Sequence, residues 1–248
     1  MNKIIIFGFP HCGTTILKSI IGHIDEVQEI IPECSYIDEK ITKKFAVCKT
    51  PFTRGHFFSS HSWNDYYKIF IIRNPFYVFS SLNKRHDFNI DNNHSIENYT
   101  ETMKMFQYFK YFKKHPNTYL IRYEDIFNND YQELKNILNS IGLNYNNNIF
   151  DNSKYENIVD INYKNIPIKK EPDNKEHGKY RTWQVNQPFI NNNNPSKINI
   201  TYEQAEKLLE NQYVNFLYPN LKTDFRDYLK KLKNNFILNK DKGKFLSK

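Results

Sequence analysis

Cysteine is nearly absent from this chain: three in 248 residues, at Cys12, Cys34 and Cys48. The count is odd and no C-x-x-C pair occurs. That argues against a disulfide framework or a cysteine zinc site and fits a reducing compartment. Long apolar runs are missing too. A membrane helix needs about 20 consecutive apolar residues, and no stretch approaches that. Met1-Asn2-Lys3 passes directly into a short apolar strand, with no leader pattern before it. The expected location is therefore the cytoplasm. Glycine is scarce, at 7, while Asn, Ile, Lys and Tyr abound, a bias of composition rather than of function. Acidic residues fall short of basic ones, 27 against 35, for a formal charge of +8. Such a balance favours anionic partners, although tail lysines that are merely solvated give the same sum.

What is present is an alternation. Lys3 to Phe9 reads as a buried strand that stops at Gly8 and Pro10. Ile16, Leu17, Ile20, Ile21 and Ile24 then recur at helical spacing. Phe45 to Cys48, Lys68 to Ile72 and Thr118 to Arg122 are further strands. Pro75 starts a helix, Ser95 to Phe112 gives a long aromatic one, and Tyr131 to Ile141 another, closed by Gly142. Thr201 and Gln204 form a capping box for a helix running to about Leu217. Asn144 to Lys179 is polar and poor in periodicity. The pattern predicts an α/β three-layer sandwich, a central parallel sheet flanked by helices. It divides into a domain over 1–221 and a Lys-rich tail over 222–248. Three strand ends, at Gly8–Thr15, Lys49–Pro51 and Arg73–Pro75, should converge on one sheet edge, where such sheets bind ligands.

Two motifs sit on that edge. GFPHCGTT, Gly8 to Thr15, has the spacing of a phosphate-binding loop, but Thr14 stands where a triphosphate loop carries lysine. Backbone N–H groups and a helix N-terminus there suit an anion of lower charge; a plain α/β turn is the alternative. RNPFYVFSSLNKR, Arg73 to Arg85, sets Ser81 and Arg85 on one helix face, with Arg73 at the strand end. It reads as a second anion pocket or as a helix with a surface serine.

Together the motifs resemble the sulfotransferases that use 3′-phosphoadenosine 5′-phosphosulfate. Their 5′ loop, P-[KR]-x-G-T-T, appears as Pro10, His11, Cys12, Gly13, Thr14 and Thr15. Their 3′-phosphate motif, R-[ND]-P-x5-S-x3-R, is matched at every fixed position by Arg73, Ser81 and Arg85. IRYEDI resembles the segment whose tyrosine, here Tyr123, lies by the adenine. KYRTW resembles a late segment that closes over the 3′-phosphate, which implies Lys179 and Arg181. The likeness runs from Lys3 to about Leu221. It implies in-line transfer of a sulfuryl group to a hydroxyl or amine of a glycan or small molecule, with no metal required and no nucleic-acid partner. A divergent P-loop kinase predicts a loop lysine, which is absent. A binding module that has lost the chemistry keeps the 3′ motif.

Three departures from the family pattern matter. The loop cation is His11, whose ordinary pKa of about 6.5 gives partial charge; a bound anion should raise it. CKTPF resembles the K-T-P segment of the carbohydrate-type branch, which makes Lys49 a catalytic cation. It puts Pro51 where the aryl and steroid branch has a histidine base. The base therefore falls to Glu33, by likeness to tyrosylprotein sulfotransferases, with Glu29 the fallback and His56 and His61 further options. Phe57, Phe58, Trp63 and Tyr66 line an acceptor pocket or pack the core. Cys12, at a helix N-terminus, is either a nucleophile or simply a small loop residue.

Overall fold

The computed structural model describes residues 2–30, 33–51, 63–112, 114, 116–126, 130–151 and 195–245. The first half alternates as expected. It comprises β1 (Lys3–Gly8), α1 (Thr14–Gly22), β2 (Val27–Glu29), β3 (Phe45–Pro51), β4 (Tyr66–Ile72), α2 (Pro75–His86) and α3 (Ile96–Gln107). Then come β5 (Thr118–Arg122), α4 (Tyr123–Ile126) and α5 (Gln132–Ile141). The strands form one sheet in the order β2-β3-β1-β4-β5, and every pairing is parallel. The three-residue β2 is an addition to the sequence reading, being too short to show a period.

β1 lies at the centre, with Ile6 in register with Lys49 on one side and Ile69 on the other. Ile4 and Ile6 join the core beneath α1 and α5, with Leu17, Ile20, Val47, Ile71 and Leu138. Ile5 and Phe7 join the opposite core, with Cys48, Phe70, Phe76, Tyr99 and Phe106. A strand covered on both faces has no polar side, so KIIIF shows no alternation. Phe70 and Phe106 stack at 4.4 Å. Phe9 meets Tyr99 edge-on at 5.2 Å. Such pairs contribute about 0.5–1.5 kcal/mol each beyond their burial. Trp63 and Tyr66 belong to this core. Trp63 packs edge-on against Phe7 at 5.3 Å, and the Tyr66 hydroxyl accepts from the Ile37 amide at 2.9 Å. Core packing is thus their role. Phe57 and Phe58 lie outside the described residues.

Several boundaries move. Ser95 caps α3 by accepting from the Asn98 amide, and the helix loosens to a π turn over Tyr108–Phe112 instead of continuing regularly. The capping box at Thr201 and Gln204 is present, heading α6 (Tyr202–Glu210). The single helix expected up to Leu217 is instead two. Asn211 breaks it by capping α7 (Gln212–Leu217), its side chain accepting from the amides of Tyr213 and Val214. α8 (Leu221–Asp224) follows, and the Lys-rich tail continues as α9 (Arg226–Phe245). Of the polar segment after Asn144, residues up to Asp151 are described. They include a 3-10 turn whose Ile149 and Phe150 are buried.

Buried Asn83 ties α2 to the C-terminal helices. Its amide nitrogen donates to the Asn199 carbonyl at 2.9 Å and to Gln204 Oε1 at 2.8 Å; Gln204 Nε2 returns a bond to Asn83 Oδ1 at 3.1 Å. Truncation leaves buried polar groups unmatched. Asn83→Ala is expected to destabilise the fold by roughly 1–3 kcal/mol, measured by urea unfolding, and a loss below a few tenths would show that this tether contributes little.

Candidate functional site

The loop after β1 is forced into close quarters. A Cβ on Gly8 would lie 2.7 Å from Thr14 Cγ2 and 2.8 Å from Ile71 Cγ2. The Cys12 amide donates back to the Phe9 carbonyl at 3.1 Å, and His11 and Gly13 take left-handed backbone, φ 67° and 97°. Gly13 has a second reason to lack a side chain: a Cβ there would lie 2.5 Å from Tyr123 Cδ2. α1 then starts with no side-chain cap and no acidic residue in its first turn. That leaves its N-terminal N–H groups and partial positive charge to an anion. Pro10 turns the chain into the loop.

Arg73 leaves the end of β4, buried, with its guanidinium 4.5 Å from the Tyr123 ring centroid. Its Nη1 donates to the His11 carbonyl at 3.1 Å, while the Tyr99 hydroxyl donates to the Arg73 carbonyl at 3.0 Å. Asn74 caps α2 with Pro75 at its first position. The Asn74 amide donates to Glu124 at 2.8 Å, and the Tyr218 hydroxyl donates to the other Glu124 oxygen at 3.3 Å. Burial raises the Glu124 pKa. Two turns along α2, Ser81 Oγ meets His11 Nδ1 at 2.7 Å. The two motifs therefore touch, across 70 positions of sequence.

Around that contact the structure gathers more basic side chains than the motifs contain. Burial, then Arg85, His94, Arg73 and His86 in that order, pushes the His11 pKa down to about 3. The sequence reading expected a bound anion to raise the His11 pKa; the protein's own groups act in the opposite direction, desolvation first. His86 and His94 lie with ring centroids 5.2 Å apart, and His94 Nδ1 is 2.7 Å from Asp91 Oδ1. The sequence reading missed both histidines. His86 adjoins Arg85 and was open to inspection. His94 is brought there by the chain reversal after α2, for which the sequence carries no motif.

No protein-family model matches this sequence, and no curated protein matches it. Among solved structures, a mouse sulfotransferase, SULT7A1, complexed with PAP, is similar over 94% of this chain and 88% of that one, at 16% identity and a TM-score of 0.48.

On the other flank of the loop, Lys49 at the end of β3 is buried. Its Nζ donates to Thr15 Oγ1 at 2.7 Å and pairs with Glu33 Oε1 at 2.8 Å. Glu29 goes elsewhere, pairing with Lys18 at 3.2 Å. Of the two carboxylates considered, Glu33 is the one brought to the loop. Tyr123 is buried, and its ring serves to pack Gly13 and Arg73. Cys12 is not a poised nucleophile: burial pushes its thiol up to about 12. His56, His61, Lys179 and Arg181 lie outside the described residues. The arrangement offers a helix end and glycine turn for one anionic group, a cluster of arginines and histidines for a second, and a lysine–carboxylate pair beside the first.

His11 carries a pH signature. The unfolded chain binds a proton near pH 6.5, and the folded one binds it only near 3. Neutral His11 thus supports the fold fully above about pH 6.5, and this support is lost as pH falls towards 3. The melting temperature is expected to be lower at about pH 5.5 than at 7.5, with a smaller difference in His11→Gln. Equal slopes for the two proteins would exclude His11 as the source.

Proposed function

We propose that this protein is a sulfotransferase that moves the sulfuryl group of 3′-phosphoadenosine 5′-phosphosulfate to an acceptor hydroxyl or amine, with a carbohydrate hydroxyl as the acceptor class. The observation that carries the reading is the junction of the two motifs. Ser81 meets His11, and Arg73 holds the His11 carbonyl. A loop that matches a 5′-phosphosulfate motif and a helix that matches a 3′-phosphate motif thus share one wall. A nucleotide with phosphates at both ends of its ribose needs such a pair of neighbouring anion sites.

The residues present suit that ligand. Gly13 sits where a Cβ would collide with Tyr123, so only glycine fits this turn of the loop. Gly13, Thr14, Thr15 and the start of α1 would hold the 5′ end. Arg73, Ser81 and Arg85 would hold the 3′-phosphate, with His86 and His94 close by. The donor brings an activated sulfuryl group; this chain supplies position and charge. Lys49, fixed between Thr15 and Glu33, would stabilise negative charge growing on the leaving oxygen. Glu33, paired with Lys49, would accept the acceptor's proton. The carbohydrate assignment is supported by Lys49-Thr50-Pro51, whose proline pairs in register with Gly8 at the strand ends.

Neutral His11 favours a second reading, a nucleotide-binding module without turnover, because the loop cation has lost its charge. Two measurements separate the readings. Adenosine 3′,5′-bisphosphate is expected to raise the melting temperature, and Arg73→Ala and Ser81→Ala to weaken its binding roughly 10-fold or more, the scale of one lost charge-assisted bond. Stabilisation by ATP–magnesium and not by the bisphosphate would overturn both readings in favour of a kinase. Transfer from labelled phosphosulfate to a glycan panel is then expected, with Lys49→Ala slower by about 10²–10³-fold. Binding without transfer to any acceptor would select the module.

A further inference from the structure

Beside the Glu33–Lys49 pair lies a second pair, of thiols. Cys34 directly follows Glu33 in sequence, and Cys48 directly precedes Lys49. The Cys34 amide donates to the Lys49 carbonyl at 3.3 Å, which fixes the two segments side by side. The Cys48 side chain is buried in the core of one sheet face, and Cys34 packs against that same core while remaining partly exposed. The two thiols lie near enough for each to shift the other's ionisation. This proximity, and beyond it Lys18, holds the Cys34 pKa below the ordinary thiol range against the opposing effect of burial; the same proximity, with burial, pushes Cys48 up. One thiol is therefore accessible and activated. The other is hidden and within its reach. That is the division of labour of an attacking and a resolving cysteine.

We propose that Cys34 and Cys48 are a reversible redox-modification site, closing to a disulfide by exchange with a small-molecule disulfide of the glutathione class. In the first step the Cys34 thiolate attacks one sulfur of glutathione disulfide. A Cys34–glutathione bond forms, and one glutathione leaves as a thiolate that takes up a proton. In the second step Cys48, giving up its proton, attacks the Cys34 sulfur. The protein disulfide forms and the second glutathione leaves. Two protein thiols are oxidised and one small disulfide is reduced to two thiols. Cys12 takes no part, since it is buried with its thiol pushed up to about 12.

The test uses the full chain, treated with glutathione disulfide, unfolded, alkylated and mapped by mass spectrometry. The prediction is that alkylation falls from three thiols to one, with Cys34 and Cys48 in one cross-linked peptide and Cys12 alkylated. Reductant restores all three. Cys48→Ser is expected to stop at the stage of glutathione on Cys34, and Cys34→Ser to take up no glutathione at all. If Cys34 and Cys48 both remain alkylatable after treatment of the wild-type chain, or if the cross-link contains Cys12, the proposal fails. The readout is mass, so the outcome does not depend on whether the neighbouring site transfers sulfuryl groups.

Discussion

β1 is hydrogen-bonded along both edges and covered on both faces, and the site follows from where that strand must end. Buried backbone cannot stop without partners for its polar groups. The chain leaves the sheet at Gly8 and immediately starts α1, which covers the face that Ile4 and Ile6 present. Five residues are available for the reversal, and two of them take left-handed backbone. The tight path brings the first turn of α1 to the carboxyl edge of the sheet, with its amides facing the space between β1, β3 and β4. In strand order, β3 lies to one side of β1 and β4 to the other. The connections therefore diverge at β1, and a crevice opens there for a ligand. Tyr123, at the end of β5, packs onto Gly13 and sets how deep the loop can sit.

Charge is distributed unequally around that crevice. On the β4 side, Arg73, Arg85, His86 and His94 bear on His11, with Asp91 next to His94 and Glu124 turned to the Asn74 amide and Tyr218. Burial raises the Glu124 pKa, while the Asn74 amide and Arg73 act to lower it. Basic side chains gather there, and after desolvation, the larger cause, they hold the His11 pKa low. On the β3 side Lys49 is matched by Glu33 at 2.8 Å. A dianion is favoured in the first region. The second region is balanced, suited to a group on which charge appears only during a reaction.

Much of this was legible in sequence because the signals were local. The run from Lys3 to Gly8, the loop spacing, Pro75 at a helix start and the Thr201–Gln204 box each depend on neighbours within a few residues, and each appears in the structure. The convergence of Gly8–Thr15, Lys49 and Arg73 followed from a parallel sheet, since parallel strands end on one edge. What escaped depended on contacts across the fold. The charge of His11 could not be read from a loop motif, because it is set by burial and by four side chains from beyond the loop. The roles of Trp63 and Tyr66 were decided by Phe7 and Ile37, which no spacing rule connects to them. Asn211 split a helix that its apolar pattern would have continued, since its side chain satisfies two amides of the next one.

If the loop holds the 5′ end as proposed, a low His11 pKa would shift the burden of charge there to Lys49. A loop lysine or arginine would stand in the anion site with its charge uncompensated. Lys49 reaches the same loop from a neighbouring strand, and it arrives joined to Glu33. A cation tied to a carboxylate presents less net field to a bound anion, which weakens ground-state attraction. Its worth increases when negative charge grows on the leaving oxygen and when the carboxylate takes up a proton, because neutralised Glu33 no longer offsets Lys49. Both changes belong to the same step of an in-line transfer. An interaction that strengthens in the transition state more than in the ground state is the kind that accelerates turnover. On the proposed reading, the basic cluster around Ser81 would do the holding, and the Lys49–Glu33 pair the chemistry.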